Sequence, residues 1–531
     1  MLVAGLWGLG CDTSVTGVPY ANQPPDTEIS VRDTSLVDNF PSHFGLPSTV
    51  FVSWSGIDPD GFIKHFEIRY FVQDSVPGPE EKWKFTTSND TLILLPIPPG
   101  AKRANVVFEV RAVDNEGAKD PSPAKTVFPI KNAPPELRLS PFELPPDTTF
   151  TVVSFSWEAS DPEGEANLGR MEISLNDSLN FVGLPADTRF VTLVGQLDPQ
   201  ASEQQVVDAR VFLGRGFERT DILVPGMRLD AENIFYARAV DRTDTTSAVQ
   251  SYSWWVKKPL GEVLYVNDWR KSTWPVVQEY HLDILRSVLP AGTPITIWDI
   301  SQPYATGSAG AVLRSDLLPP VPDPTLRQTL ALFKYIYWVT TNSTNSSIEN
   351  NLPYAASVMD LFFEQGGKLI VHTPISLPTN AEENVGNPAI FVLPISGLIE
   401  FPDSLRQSLR LPRDSVVVPA NPVPGLGLTL PPLKPLRPLT KVLPFEAEGE
   451  TSVPLYQASF LYITKTTRQL GPWFGASYVA AMSADRRVAV LAIPLVNDQN
   501  GRDLFIGADG DPDAPKEAVR RMLRGLNFPH Q

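Results

Sequence analysis

The residue types that carry most thiol and metal chemistry are nearly absent from this chain. Cysteine occurs once in 531 residues, as Cys11, so no disulfide closes within the chain and no second thiol exists for redox or nucleophilic work. Histidine occurs five times, as His43, His65, His281, His372 and His530. None stands in an HExxH, His-x-His or Cys/His spacing, so a zinc or iron site has no signature here. No window reaches the roughly 18 unbroken apolar residues that a bilayer span requires. Basic residues are also short: 44 Lys and Arg face 60 Asp and Glu, a formal net charge of −16. Nucleic-acid binding depends on Lys and Arg neutralising phosphates, so no nucleic-acid partner is expected and the acidity reads as solubility. The glycine clusters "GLWGLG" and "GSAG" lack the strand before and helix after that a phosphate-cradling loop needs.

Proline, in contrast, is plentiful at 53 residues, about twice ordinary usage, which suits a loop-rich chain of several modules. Length agrees, because single cores stop growing near roughly 250–300 residues. The phrase "FEVRAVDNEG" at 108–117 returns as "FYARAVDRTD" at 235–244, and "VSWSGIDPDGFIKHFEIRY" at 52–70 returns as "FSWEASDPEGEANLGRMEISL" at 155–175. Trp54 aligns with Trp157, Asp58 with Asp161 and Gly61 with Gly164, each pair 103 residues apart. From the tryptophan to the aspartate of the "AVD" phrase takes 60 residues in the first copy and 84 in the second, so the second holds 24 more, expected within 185–216.

Period-two alternation in "TVFVSWSG", "TFTVVSFSWEA", "VVFEVRAVD" and "IFYARAVD" marks strands with one packed and one wet face. Turn signals such as "DPDG", "SND" and "DNEG" between short strands predict β-sandwiches. The early Trp, the "FEI" strand and the "VRAVDxxG" phrase resemble the fibronectin type III and related immunoglobulin-like family over about 22–258. That resemblance implies a fold and is nearly silent on function. The Pro-rich seams "NQPPDTE", "NAPPELRL" and "WWVKKPLGE" divide the region into modules at 22–131 and 132–258.

At Gly261 the pattern changes. "GEVLYVNDW" is a continuous apolar run suited to a buried parallel strand, and Val276, Tyr280, Leu282, Leu285 and Leu289 then recur at helical spacing. "TPITIWDIS", "KYIYWVTTN" and "GGKLIVHTP" are further strands, alternating with helices in "LRQTLALF" and "LPYAASVMDLFFEQ". This is the order of a doubly wound α/β sheet over 259–531, closed by "RRVAVLAIPL" and a last helix in "PKEAVRRMLRGLNF". A Pro-rich, poorly periodic insertion at about 377–450 is expected to run over the surface. "VLYVND", "FKYIYWV", "FFEQGGKLIV" and "RVAVLAIPL" resemble the class I glutamine amidotransferase-like, flavodoxin-like superfamily over about 260–375 and 475–531. The resemblance implies a Cys nucleophile on a sharp strand-to-helix turn, paired with a downstream His. Here "KLIVHTP" runs into "ISLPTN" with no Cys, and Ser376 lacks the G-x-S-x-G setting that strains and exposes a nucleophilic serine. No catalytic residue is assigned, and the chain is expected not to be an enzyme.

Three groups of residues remain as site candidates. Asp268 and His372 end two strands at the carboxyl edge of the sheet, where open α/β folds bind ligands. The alternative is a helix or loop cap for Asp268 and an ordinary loop hydrogen bond for His372. Asp58, Asp60 and Asp114 in the first module, and Asp161, Glu163 and Asp241 in the second, fall in loops at one end of each sandwich and offer hard oxygens for calcium. They are equally explained as turn formers, and no other cofactor is expected. "DGDPDAPKE" at 509–517 departs from a calcium loop at Ala514 and Arg520, leaving Asp513 to cap the last helix. Trp254, Trp255, Trp269, Trp274 and Trp298 raise carbohydrate stacking against the simpler reading of core packing.

The start of the chain, "MLVAGLWGLGCDTSVTG", resembles the tail of a bacterial lipoprotein signal, which makes Cys11 the lipidated residue and 1–21 a signal-like segment and tether. The expectation is a non-enzymatic lipoprotein of the bacterial envelope, anchored in the outer membrane and facing the surface or periplasm, whose sandwiches present the α/β domain to other envelope proteins. An envelope or polysaccharide hydrolase and a carbohydrate-binding surface protein are the alternatives.

Overall fold

The computed structural model describes residues 21–30, 49–73, 83–98, 100–198, 201, 203–301, 317–341, 351–375, 392–423, 427–440 and 442–530. Cys11 and Ser376 lie outside them. The chain divides into two compact units, one comprising Met1–Leu137, Ala159–Met171 and Arg238–Ala248, the other Arg138–Glu158, Glu172–Ala237 and Val249–Gln531.

The first sandwich is built from β1 (Asp26–Ser30), β2 (Thr49–Ile57), β3 (Ile63–Val72), β4 (Lys84–Thr86), β5 (Asp90–Leu94), β6 (Arg103–Asp114) and β7 (Ala124–Lys131). One sheet runs β1-β2-β5 and the other β4-β3-β6-β7. Alternation aims Val52, Trp54, Phe66, Val106, Phe108 and Phe128 inward. Trp54 packs against Phe108 at 5.9 Å and edge-on to Phe66 at 6.2 Å. On the other face of β3 and β6, Arg69 pairs with Glu109 and Arg111 with Glu67, each at 2.6 Å. The Trp83 ring lies 4.4 Å from the Arg69 guanidinium and 4.1 Å from that of Arg111, a cation–π ladder across the sheet.

The second sandwich repeats the plan with β8 (Glu136–Leu139), β9 (Thr148–Thr149), β10 (Val152–Ser160), β11 (Leu168–Leu175), β12 (Val182–Leu184), β13 (Phe190–Gly195), β14 (Val206–Leu213), β15 (Glu218–Arg228), β16 (Ala231–Asp241) and β17 (Gln250–Val256). Its sheets run β15-β14-β13-β10-β8 and β12-β11-β16-β17-β9. The added residues form the β14–β15 hairpin at the sheet edge, which begins inside the 185–216 stretch predicted for them and runs on to Arg228. Trp157 faces Phe235 at 6.4 Å, and Phe155 stacks on the same ring at 3.9 Å. Trp54 with Phe108 and Trp157 with Phe235 are equivalent pairs, so the repeated phrase recurs because it supplies the ring on which each module's tryptophan rests.

In the α/β part, β18 (Val263–Asp268), β19 (Ile295–Asp299), β20 (Tyr335–Thr340) and β21 (Lys368–His372) pair in parallel in the order β19-β18-β20-β21, followed by parallel Val488–Leu491 and antiparallel Tyr478–Ser483. Every residue of β18 is buried, which requires cover on both faces of the sheet. The Trp274–Val288 helix packs against β18 and against the terminal Ala514–Gly525 helix, while the short Arg327–Leu330 and Asp360–Glu364 helices pack on each other. The first of these buries Val277, His281, Leu282, Ile284, Leu285 and Val288, with Leu289 buried just after it; Tyr280 is partly buried, and of the five predicted residues Val276 alone is exposed. "LPYAASVMDLFFEQ" forms two short helices, Leu352–Ala356 and Asp360–Glu364, in place of one. The second ends at Gly366 with φ 81°, and a Cβ on Gly367 would come within 2.5 Å of the Phe362 carbonyl oxygen, so the Gly-Gly pair is sterically required.

The 377–450 segment does not run over the surface as predicted. Its described residues Leu409, Leu411, Val417, Leu433 and Phe445 belong to the same core as β18 and β20, and Gly397–Leu398 and Phe445–Glu446 extend the sheet. Prolines interrupt its period, and single bridges such as Leu411 to Leu439 and Val417 to Leu433 anchor it instead. The second sandwich also reaches this core from before residue 258. Phe150 of the second sandwich belongs to the α/β core, edge-on to Trp298 at 5.5 Å and Phe333 at 5.4 Å. Beside it, Lys257 Nζ donates to the Ile297 carbonyl oxygen at 2.5 Å.

Candidate functional site

Asp268, the last residue of β18, is fully buried. Its Oδ2 accepts from the Asn351 backbone N–H at 2.6 Å and from Trp338 Nε1 at 3.3 Å, and its Oδ1 accepts from Asn351 Nδ2 at 2.8 Å. The carboxylate thus ties the strand to the start of the Leu352–Ala356 helix. Thr273, not Asp268, occupies the N-cap of the helix that follows β18.

His372, the last residue of β21, has other neighbours. Its ring stacks on Tyr337 at 5.0 Å with planes 16° apart, and His281 meets it edge-on at 4.6 Å. Tyr337 Oη and His281 Nδ1 share a hydrogen bond of 2.8 Å. Thr340 Oγ1 donates to Thr373 Oγ1 at 2.9 Å, and His372 Nε2 is buried with no hydrogen-bond partner. His281, Thr340, His372 and Thr373 line a small cleft of about 10 Å³, walled by Trp269, Leu491 and Ile493. Burial pushes His372 down to about 3, and burial together with the His372 ring holds His281 well below the usual imidazole range. Burial also raises Tyr337 well above the phenol range. All three are therefore neutral at pH 7, and a base with a pKa near 3 takes up little proton there. The structure places Asp268 and His372 at the same sheet edge but gives them separate partners, so no carboxylate–imidazole pair forms. His281 was missed because the helical spacing singled out its neighbour Tyr280, and Tyr337 because it stands in the apolar run of β20 and read as core.

The acidic loops of the two sandwiches are occupied in the same way. In the first, Asp114 Oδ2 accepts from Asn22 Nδ2 at 2.6 Å, and Asp60 Oδ2 accepts from the Gln23 N–H at 3.0 Å. In the second, Asp241 Oδ2 accepts from Asn132 Nδ2 at 2.5 Å, and Glu163 Oε1 accepts from the Ala133 N–H at 3.2 Å. Asp241 Oδ1 takes the Thr243 and Thr245 N–H groups and the Thr243 hydroxyl. Asp58 Oδ1 accepts from the Asp60 N–H, and Asp161 accepts from Asn167 Nδ2 and the Glu163 N–H. Burial works to raise Asp114, but the Asn22 amide and the N–H groups of Ala118, Glu116 and Gly117 outweigh it and hold the carboxyl below its usual range. Oxygens facing N–H donors are poorly placed for calcium, which needs several of them bare around one point. Among the described residues no three His, Cys, Asp or Glu side chains gather in that manner. The readable signal was the pair of matching Asn-x-Pro-Pro leaders, Asn22-Gln23-Pro24-Pro25 and Asn132-Ala133-Pro134-Pro135.

Asp513 does stand at the N-cap of the last helix, but its side chain makes no cap hydrogen bond and pairs with Arg520 at 2.5 Å. Trp254, Trp269 and Trp298 are buried while Trp255 is half exposed, so the five tryptophans share no open face.

No family model matches this chain, and no curated protein matches it. Among solved structures it is similar to the fibronectin(III)-like modules of Clostridium thermocellum CbhA, at 13% identity over 40% of this chain and 88% of that one, with a TM-score of 0.17. It is also similar to the FN1–FN3 domains of chicken CNTN1, at 12% identity over 46% of this chain and 69% of that one, with a TM-score of 0.20.

Proposed function

We propose that this chain is a non-enzymatic lipoprotein of the bacterial envelope, acting as a binding or assembly component. In this reading Cys11 carries the lipid, the sandwiches are fibronectin type III or immunoglobulin-like, and the α/β domain is an amidotransferase-like, flavodoxin-like scaffold without its nucleophile. The outer membrane, facing the surface or the periplasm, is its place, and other envelope proteins are its partners. The observation that carries the reading is the state of the sheet's carboxyl edge. Asp268 is engaged by Asn351 and Trp338, and His372 is held neutral between Tyr337 and His281. The sequence offers no thiol there, and acyl transfer from glutamine needs an activated nucleophile.

Two measurements test this. Palmitate labelling of the full chain in cells should be lost in Cys11→Ala, and labelling that persists refutes the anchor. Purified protein should release no ammonia from glutamine. A hydrolase remains the second reading because His372 Nε2 is unpartnered in the cleft. Hydrolysis of an envelope polysaccharide that disappears in His372→Gln would replace the first reading with the second.

A further inference from the structure

The small sheet formed by Leu405–Arg410, Leu461–Thr464 and Leu470–Pro472 carries a charge opposite to that of the whole chain. Between Ser404 and Pro444 stand Arg406, Arg410, Arg413, Lys434, Arg437 and Lys441 against Asp414 alone, and between Thr451 and Ala476 stand Lys465 and Arg468 with no acidic residue. The register pairs Leu409 with Tyr462 and Tyr462 with Gly471 on the face turned to the core, where Leu409 is buried. Alternation therefore puts Arg410 on the opposite face with Leu461, Ile463, Leu470 and Pro472, and Arg406, in the irregular part of the same strand, is exposed. Leu470 is 49% exposed there. At one end the turn carries exposed Lys465 and Arg468. At the other, Trp473 packs on Phe401 at 5.3 Å and donates from Nε1 to the Ala476 carbonyl oxygen at 3.0 Å, holding a loop from which Phe474 projects, 85% exposed. The side chains of Arg406, Arg410, Arg413, Lys465 and Arg468 make no ion pair or hydrogen bond among the described residues, although carboxylates are abundant elsewhere in the chain.

We propose that this face is a docking surface for an anionic lipid bilayer. Cations left unpaired beside exposed aliphatic side chains and a braced aromatic tip match both layers of such a surface: the phosphates attract the guanidinium and ammonium groups, and the apolar residues enter the headgroup boundary. A soluble acidic polymer would use the charges but not Phe474 or Leu470. The surface is independent of the Cys11 anchor, so the test uses the full chain carrying Cys11→Ala, which has no lipid of its own. That protein should cosediment with vesicles of equal parts phosphatidylcholine and phosphatidylglycerol, not with phosphatidylcholine alone, and should be released by high salt. With roughly 1 kcal/mol per basic side chain near such a membrane, Arg410→Gln and Lys465→Gln should each weaken partitioning about fivefold. Phe474→Ser should weaken it as well, while Arg286→Gln, on a distant helix, should leave it unchanged. Binding indifferent to phosphatidylglycerol, equal losses at Arg286 and Arg410, or tighter capture by immobilised polyglutamate than by vesicles would each overturn the assignment. Lys465, Phe474 and Arg286 are exposed and Arg410 is partly exposed, so unchanged thermal melting of each variant separates lost docking from lost folding.

Discussion

Acid should loosen the α/β body through its buried imidazoles before its carboxylates respond, and His372 allows the size of the effect to be worked out. In the folded chain burial depresses this imidazole to about 3, whereas an unfolded histidine titrates near 6.5. Below about pH 6.5 the unfolded chain binds a proton that the folded chain refuses, so the contribution is complete above that value and declines as pH falls toward 3. The slope is about 1.4 kcal/mol per pH unit, which gives about 2 kcal/mol between pH 6.5 and 5 from this residue. His281 is depressed in the same direction and adds to the loss. Asp114, Asp360 and Asp485 are held below the usual carboxylate range, so their contributions vanish only at still lower pH, outside this window. His372→Phe keeps a ring on Tyr337 and removes the titration. Urea unfolding of both proteins at about pH 7.5, 6.5 and 5, followed by the fluorescence of buried Trp338 and Trp269, should show a shallower decline in the variant by about 2 kcal/mol. Parallel pH profiles for the two proteins would refute the reasoning, because they would mean that His372 takes up its proton equally in both states.

Other substitutions probe different parts of the molecule. Asp241→Ala strands the buried amide of Asn132 and the N–H groups of Thr243 and Thr245, and should cost about 2–4 kcal/mol in urea unfolding. Phe150→Ala opens a hole in the core shared by the second sandwich and the α/β domain, with an expected loss of about 3–5 kcal/mol. Calorimetry should then resolve two transitions in the variant against one coupled transition expected for the parent, and a single unshifted peak would argue against a shared core. Trp83→Ala removes the ring between Arg69 and Arg111 and should lower the midpoint of the first sandwich by the equivalent of about 1–2 kcal/mol. Adding a high concentration of salt should reduce that difference.

The parts of the fold that were legible are those whose periodicity is unbroken. Alternation in β2, β6, β10 and β16 exposed the two sandwiches, and the runs at β18, β20 and β21 exposed the parallel strands, because burial on one face or both writes itself directly into residue order. The 377–450 stretch was misread for the converse reason: its buried residues Leu411, Val417 and Leu433 are held by isolated bridges between prolines and never recur at a fixed interval. The acidic loops were found as clusters, yet their role was hidden, because the donors Asn22 and Asn132 lie about a hundred residues from the aspartates they serve. Asp268 and His372 were placed on the correct edge by topology. Which neighbour each would choose depended on side chains, Asn351 and His281, whose positions no local pattern fixes.

The amide contributed by each Asn-x-Pro-Pro leader has a bearing on how such modules multiply. The acceptor aspartate sits near the end of its sandwich and the donor asparagine at the very beginning, so a stretch of DNA copied from just past the asparagine codon would encode a sandwich with an unanswered buried carboxylate. Any duplication that yielded a stable tandem had to carry both ends together. The shared Asn-x-Pro-Pro leaders at Asn22 and Asn132 are what such an inheritance leaves behind.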